Sequence, residues 1–325
     1  YDLRADPNDV NVDNKIVATG NKMTIFLKAD YNAKEASHLQ IDMVNVYDEG
    51  TTAVPPTPTP TYNPIGQVNC PTTSSNTYAA GTITSAEAAS DRAPADFHPD
   101  KNWSLRGYEM LPDQNILRNL VNNNDPNPDV LAPQLTTMTD NRTPAIFHGY
   151  RVFNWIWDAS SWGNRGSPLV NWEITAAGFY GNPGDKVYVP RSGREVAPGY
   201  EAYVNYAGVN PVSGLGTLTM VYLSEDSVKN GYAIQYDNLC IDPELLKLYQ
   251  QLSPPNATNR TQLPRLKKGD QVGTFKTHEV VVAIRDRGQY MDPRSIAWWQ
   301  GVTTLPEVPS PPPQCPVPSN TVGLQ

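Results

Sequence analysis

The chain is poor in the residues that most catalytic and metal chemistry needs. It has four histidines and three cysteines in 325 residues, and charged residues make up 18% of it. The histidines, His38, His98, His148 and His278, form no i, i+2 or i, i+4 pair, so local spacing offers no zinc constellation. They are expected as isolated surface or capping residues. Neither a Gly-x-Ser-x-Gly turn nor a Cys-His signature is present to present a nucleophile. Basic residues are outnumbered, 25 Lys and Arg against 33 Asp and Glu for a formal charge of -8, which argues against nucleic acid as a partner. No run approaches the roughly 18 apolar residues of a membrane helix, so no membrane span is expected. Low Lys and Glu content with abundant Thr, Asn, Pro and Tyr fits an exported, cell-surface protein, and a first residue Tyr1 rather than Met fits a processed chain.

What the chain does have is proline, 31 residues, and strand-like alternation. The run from Leu39 to Val46 alternates with period two, and Met23–Leu27 is a second short apolar run. Residues 1–53 therefore read as an N-terminal β segment, immunoglobulin-like or a donor of strands to a neighbour. Residues 54–61, Val54-Pro-Pro-Thr-Pro-Thr-Pro-Thr61, read as an extended linker. Residues 62–148 read as an irregular middle region with one helix, capped by Asp113 and carrying Ile116, Leu117, Leu120 and Val121.

Residues 149–305 read as a β-rich domain, with strands expected at 150–157, 169–174, 185–189, 201–206, 217–223, 232–236 and 280–284. A helix is expected after Asp242 as N-cap, with Pro243 in first position and Leu245, Leu248, Tyr249 and Leu252 buried. Residues 306–325 form a Pro-rich tail. The fold class is thus mainly β, antiparallel sandwich or barrel domains with a few short helices and Pro-rich linkers.

Several features carry competing readings. Phe153, Trp155 and Trp157 share one strand face with Trp162 close behind, and such rings could stack on sugars if exposed. Apolar residues on both faces of that strand, Tyr150, Val152 and Ile156 on the other side, favour core packing. Trp298 and Trp299 pose the same alternative beside a short helix at 294–300. Asp9, Asn11 and Asp13 begin like a calcium loop, but Asn14 and Gly20 fill the positions that need a glycine and an acid. Glu173 with Asp158 and Asp237 with Asp242 are carboxylate pairs by residue type alone, with solvated or capping roles expected. Cys70 and Cys315 sit in Pro-flanked loops and are the disulfide candidates, leaving Cys240 as a buried thiol. Asn102, Asn141, Asn256 and Asn259 satisfy the N-glycosylation pattern.

The segments Lys267-Lys-Gly-Asp-Gln-Val-Gly273 and His278-Glu-Val-Val-Val-Ala-Ile-Arg-Asp-Arg-Gly-Gln-Tyr-Met-Asp-Pro293 resemble the C-terminal half of lysostaphin-type zinc endopeptidases. There a KGxxVG-like turn precedes a His-x-His strand that ends in an R-x-x-G-x-x-x-DP element. The resemblance covers about the last third of the chain. It places Glu279 and Val281 where the two histidines would stand, with His278 one residue out of register and no His-x-x-x-Asp partner between Gly149 and Phe179. Valine binds no zinc, so the resemblance implies a scaffold without its catalytic site, no cofactor and no enzyme activity. The stretch from Gly149 to Trp299, through Gly149-Tyr-Arg-Val-Phe-Asn-Trp155 and Ala283–Arg294, also resembles uncharacterised secreted surface proteins of filamentous green bacteria.

These observations lead to the expectation of a non-enzymatic extracellular structural or adhesive protein, a filament subunit that polymerises with itself by strand exchange. The assembly strand would carry Met23, Ile25, Leu27 or Leu39, Ile41, Met43. The alternative is a glycan- or peptidoglycan-binding module on a dead peptidase scaffold, using Trp155, Trp162, Trp298 and Trp299 on cell-surface glycans.

Overall fold

A computed structural model of the chain describes residues 68–84, 93–111, 129–140, 142–158, 162–210, 214–257 and 260–308. The chain divides into two units, Tyr1–Thr61 and Tyr62–Gln325, and every described residue belongs to the second. The expected assembly strand, the 54–61 linker, the helix after Asp113, Cys315, Asn141 and Asn259 all lie outside the described residues.

The described part is mainly β, a single antiparallel sheet of thirteen strands with one α-helix. The strands are β1 (Ala79–Thr82), β2 (Tyr108–Met110), β3 (Ala145–Ile156), β4 (Asn164–Pro168), β5 (Ala176–Tyr180), β6 (Lys186–Tyr188) and β7 (Ala202–Val209). They continue with β8 (Gly216–Val221), β9 (Tyr232–Ile241), β10 (Gln262–Leu266), β11 (Gln271–Phe275), β12 (Glu279–Asp286) and β13 (Gln289–Met291). Their order across the sheet is β1-β10-β7-β8-β9-β12-β5-β3-β2, with β11 on β9 and carrying β6, β13 on β12 and β4 on β3. The sheet does not close into a barrel.

β12 lies inside the sheet because its sequence, Glu-Val-Val-Val-Ala-Ile-Arg-Asp, holds a continuous apolar run, mostly β-branched, that can be buried on both faces. Val280, Val282 and Ile284 enter the larger core with Phe179, Leu218, Met220, Ile234 and Tyr236. Val281 and Ala283 face the other way, into a cluster with Trp103, Tyr108, Tyr150, Val152, Ala176 and Tyr290. β9 pairs with β12 over Tyr232–Asp237 and with β11 over Leu239–Ile241. Asn238, in left-handed backbone at φ 62°, marks the change of partner, a conformation asparagine tolerates better than most residues.

The helix α1 (Pro243–Leu252) forms as its sequence dictates. Asp242 accepts from the backbone N–H groups of Glu244 (3.0 Å) and Leu245 (3.3 Å), Pro243 occupies the first turn, and Leu245 and Tyr249 bury one stripe. Leu248 and Leu252 are only half-buried.

Four expectations are corrected. The boundary between 148 and 149 falls inside β3, and β1 and β2 from the middle region pair into the same sheet, so 62–148 is not a separate irregular part. Residues 169–174 are a connection, not a strand, because the sheet is entered only at Ala176, where small side chains fit between β3 and β12. Residues 294–300 hold a 3-10 turn, Ile296–Trp298, that buries both Trp298 and Trp299. Cys70 is bonded to Cys240, with Cα atoms 5.2 Å apart, so Cys240 is no lone thiol and Cys70 is already engaged. The pairing follows from the path of residues 68–78, which cross the end of β9 on the way to β1.

Candidate functional site: an aromatic hairpin on a filled sheet face

The two ends of β3 have different surroundings. From Ala145 to Tyr150 every residue is buried between β5 and the covering elements. Beyond Val152 the strand leaves β5 and pairs only with β4, whose exposed, polar Asn-Arg-Gly-Ser-Pro sequence offers no apolar face to cover it. Phe153 and Trp155 are half-buried, and Ile156, Trp157 and Trp162 are exposed, by 56%, 47% and 39%. The buried ring of His98 stands 5.1 Å from that of Trp157 in an edge-to-face contact, and the preceding residue, Phe97, is 48% exposed. The hairpin end is therefore an apolar surface of large flat rings edged by the exposed polar residues Asn154, Asp158 and Asn164.

The described strand ends on either side of the turn are tied together. Trp155 Nε1 donates to the carbonyl of Trp162 (2.8 Å). Trp162 and Gly163 both have positive φ, 63° and 97°, and a Cβ on Gly163 would meet Trp157 Cα and Trp155 Nε1, so this corner requires glycine. At the base, Arg165 donates to the carbonyls of Leu105 (2.7 Å) and Ser104 (3.2 Å), and Arg106 donates to that of Phe153 (3.2 Å). These bonds fasten the hairpin to the segment 93–106.

That segment also fills the polar face of the sheet. Asp100 pairs with Arg106 (2.6 Å) and Arg285 (2.7 Å), all three buried. Burial alone would raise the Asp100 pKa, but the Arg285, Arg106 and His98 charges outweigh it and hold the carboxyl well below its ordinary range. Asp226 binds Lys101 and Arg260, Thr219 donates to the Lys101 carbonyl (2.6 Å), and Trp103 Nε1 donates to the Tyr236 carbonyl (2.9 Å). Trp103 stacks on Tyr108, whose hydroxyl donates to Asp237 (3.1 Å). Burial and the neighbouring Asp237 charge raise the Tyr108 pKa far above its usual value, so it stays a neutral donor.

The positions that the peptidase resemblance singles out lie on this filled face. Val281 is fully buried in the Trp103–Tyr108–Tyr150 cluster. Glu279 is 1% exposed, and its Oε1 accepts from the Tyr150 hydroxyl (2.9 Å) and lies 2.9 Å from His148 Nδ1. A Cβ on residue 178 would overlap Glu279 Oε1, so Gly178 makes the room for this carboxylate on β5. His278 is out of that group, with Nδ1 3.0 Å from the Gly181 carbonyl and its ring stacked on Tyr180. Among the described residues no three His, Cys, Asp or Glu side chains converge as a metal ligand set would.

Of the four tryptophans expected to bind glycans, only Trp162 is exposed. Trp155 is half-buried with its N–H committed, and Trp298 and Trp299 are core residues, with N–H groups donating to the carbonyls of Asp292 (3.0 Å) and Pro293 (2.7 Å). Trp157, named from sequence among the rings that could stack on sugars but expected in the core, is exposed, and Phe97, exposed as well, was not singled out from sequence. The signal that could have found them is the polar β4 stretch beyond the Trp-Gly turn, which leaves the strand end without an apolar partner. Glu173 accepts from Arg294 (2.7 Å), Asp237 from Tyr108 and Thr217, and Asp242 caps α1, so neither nominated carboxylate pair stands as a unit. Asn102 is buried with both side-chain polar atoms engaged, by the Asp96 carbonyl and Ser104. Asn256 is exposed on a turn with φ 65°. No family model matches the chain, and no curated protein is significantly similar to it.

Proposed function

We propose that the protein is a non-enzymatic, exported adhesive protein that binds cell-surface glycans through the tip of the β3–β4 hairpin. The observation that carries this reading is the exposure of Trp157 and Trp162, the latter held by the Trp155 N–H and followed by a Gly163 that has no room for a side chain. Exposed flat rings can stack on the apolar face of a pyranose. The Asn and Asp side chains at the rim supply hydrogen-bonding partners for sugar hydroxyls. The Cys70–Cys240 disulfide favours an oxidising, extracellular address.

A peptidase role has weaker support. The face that would hold the reaction is occupied by Trp103, Tyr108 and the Asp100–Arg106–Arg285 group, and Val281 stands where a ligand would be needed.

The test is co-sedimentation of the protein with insoluble cell-wall polysaccharide. The double variant Trp157→Ala/Trp162→Ala is expected to lose at least about tenfold in affinity, since each stacked ring contributes on the order of 1 kcal/mol. It should keep its melting temperature. Undiminished binding by that variant would remove the hairpin from the account.

A further inference from the structure

The middle of β7 is irregular. Val204 lies opposite Met220 and Tyr206 opposite Thr219, so Asn205 is the extra residue of a bulge, which turns its side chain out of the strand's alternation. Its carboxamide meets a charged group at each end. Oδ1 accepts from Arg260 Nη2 (2.8 Å), and Nδ2 donates to Asp226 Oδ1 (3.2 Å). The same carboxylate oxygen lies 3.4 Å from Nζ of Lys101, in the segment 93–106. Lys101, Asn205 and Asp226 are 2%, 0% and 3% exposed.

This is an unusual place for a lysine, whose long chain normally keeps its ammonium in water. Its main chain is fixed there, with the N–H donating to the His98 carbonyl (2.9 Å) and the carbonyl accepting from Thr219 Oγ1 (2.6 Å). Arg260 closes the other side. Besides Asn205 it pairs with Asp226 and donates to the Tyr249 hydroxyl of α1 (3.3 Å). An amine, a carboxamide and a carboxylate beside both nitrogens thus stand together away from bulk water.

We propose that Lys101 and Asn205 join in an intramolecular amide, an isopeptide bond, with Asp226 as the proton carrier. Asp226 takes a proton from the Lys101 ammonium, and the freed amine attacks Cγ of Asn205. Arg260 Nη2 already donates to the oxygen on which negative charge then develops. The Nζ–Cγ bond forms and the Cγ–Nδ2 bond breaks. Two protons leave Nζ by way of Asp226 and depart with the former amide nitrogen as an ammonium ion, so atoms and charge balance and nothing is oxidised or reduced. A carboxylate is a poor electrophile, so the carboxamide rather than Asp226 is the group attacked. Burial favours the reaction because water, the competing nucleophile, is kept away. The bond ties the segment 93–106 to β7 and closes a loop from residue 101 to residue 205, which restricts the unfolded chain as a disulfide does. The inference is independent of the hairpin and of glycan adhesion.

The experiment is mass spectrometry of the full chain, made in a host that adds no glycans, denatured and reduced, with a tryptic map. The wild-type chain is expected to lack one ammonia against its sequence mass. Trypsin should leave the chain uncut after Lys101, and the map should contain a branched peptide that joins Lys101 to Asn205. Lys101→Arg keeps the charge but offers no nucleophilic amine, and should show its full mass and a lower melting temperature. Asp226→Asn keeps both reactants and removes the proton carrier, and should also stay at full mass, with cleavage after Lys101 restored. If either variant fails to fold, the wild-type map decides alone. A wild-type chain at full sequence mass overturns the proposal, as does an ammonia loss that maps elsewhere, such as a succinimide at the exposed Asn230 before Gly231. So does a branched peptide that forms as fully in Asp226→Asn as in the wild type.

Discussion

The two halves of β3 carry the same kind of sequence and meet different fates. Ala-Ile-Phe-His-Gly-Tyr and Phe-Asn-Trp-Ile are both rich in bulky apolar and aromatic residues, yet the first is buried on both faces and the second is half-buried or exposed. The difference lies in the neighbours. The inner half lies beside β5, whose small residues Ala176, Ala177 and Gly178 let β12 and the covering rings close over it. The outer half has only the polar β4 beside it. An aromatic strand becomes core or contact surface according to what pairs with it, and the segment 93–106 touches both, closing the polar face and bolting down the hairpin.

Breaking the buried side of this contrast should cost most. Asp100→Asn leaves Arg106 and Arg285 buried without a counter-charge, and the expected loss is on the order of 3–5 kcal/mol at neutral pH, read by urea denaturation. The wild-type advantage is also pH-dependent. The folded Asp100 carboxyl titrates below its unfolded value, so its contribution is full above about pH 4 and is lost as the pH falls further, whereas the Asn variant should show no such component. A denaturation series from pH 6 to pH 2 on both proteins checks the sign.

Trp103→Ala should follow, at roughly 3–4 kcal/mol, because it empties the space beside the Tyr108 ring and leaves the Tyr236 carbonyl without its donor. Gly178→Ala is a smaller, local probe. Its methyl group would displace Glu279 from Tyr150 and His148, with an expected cost of about 1–3 kcal/mol by thermal melting. Trp157→Ala and Trp162→Ala sit at the far end of the scale, each within about 0.5 kcal/mol of wild type in stability, while both reduce glycan binding. A large stability loss from either would mean that the hairpin end is core after all.

How much of this was legible follows the same division. The run Val280–Ile284 and the capped start of α1 could be read directly, since each has the local pattern that its environment rewards. β5, with two alanines and a glycine, reads as a loop and is a central strand because only small residues fit there. β10 was hidden by Pro264, whose missing N–H would normally argue against a strand paired on both sides. The tryptophans were the hardest, because periodicity gives the face of a strand and says nothing of what covers it. Trp298 and Trp299 are buried through a 3-10 turn that brings both rings inward, an outcome that helical spacing excludes. The partner of Cys70 was likewise set by the path of the segment over β9, which no local feature encodes.

The most direct measurement is an NMR titration of the tryptophan indole N–H resonances with a soluble oligosaccharide cut from cell-wall glycan. The account predicts that Trp157 and Trp162 shift in a saturable way while Trp103, Trp298 and Trp299 stay fixed. Fixed resonances at Trp157 and Trp162 throughout a titration in which the protein demonstrably binds the sugar would contradict it.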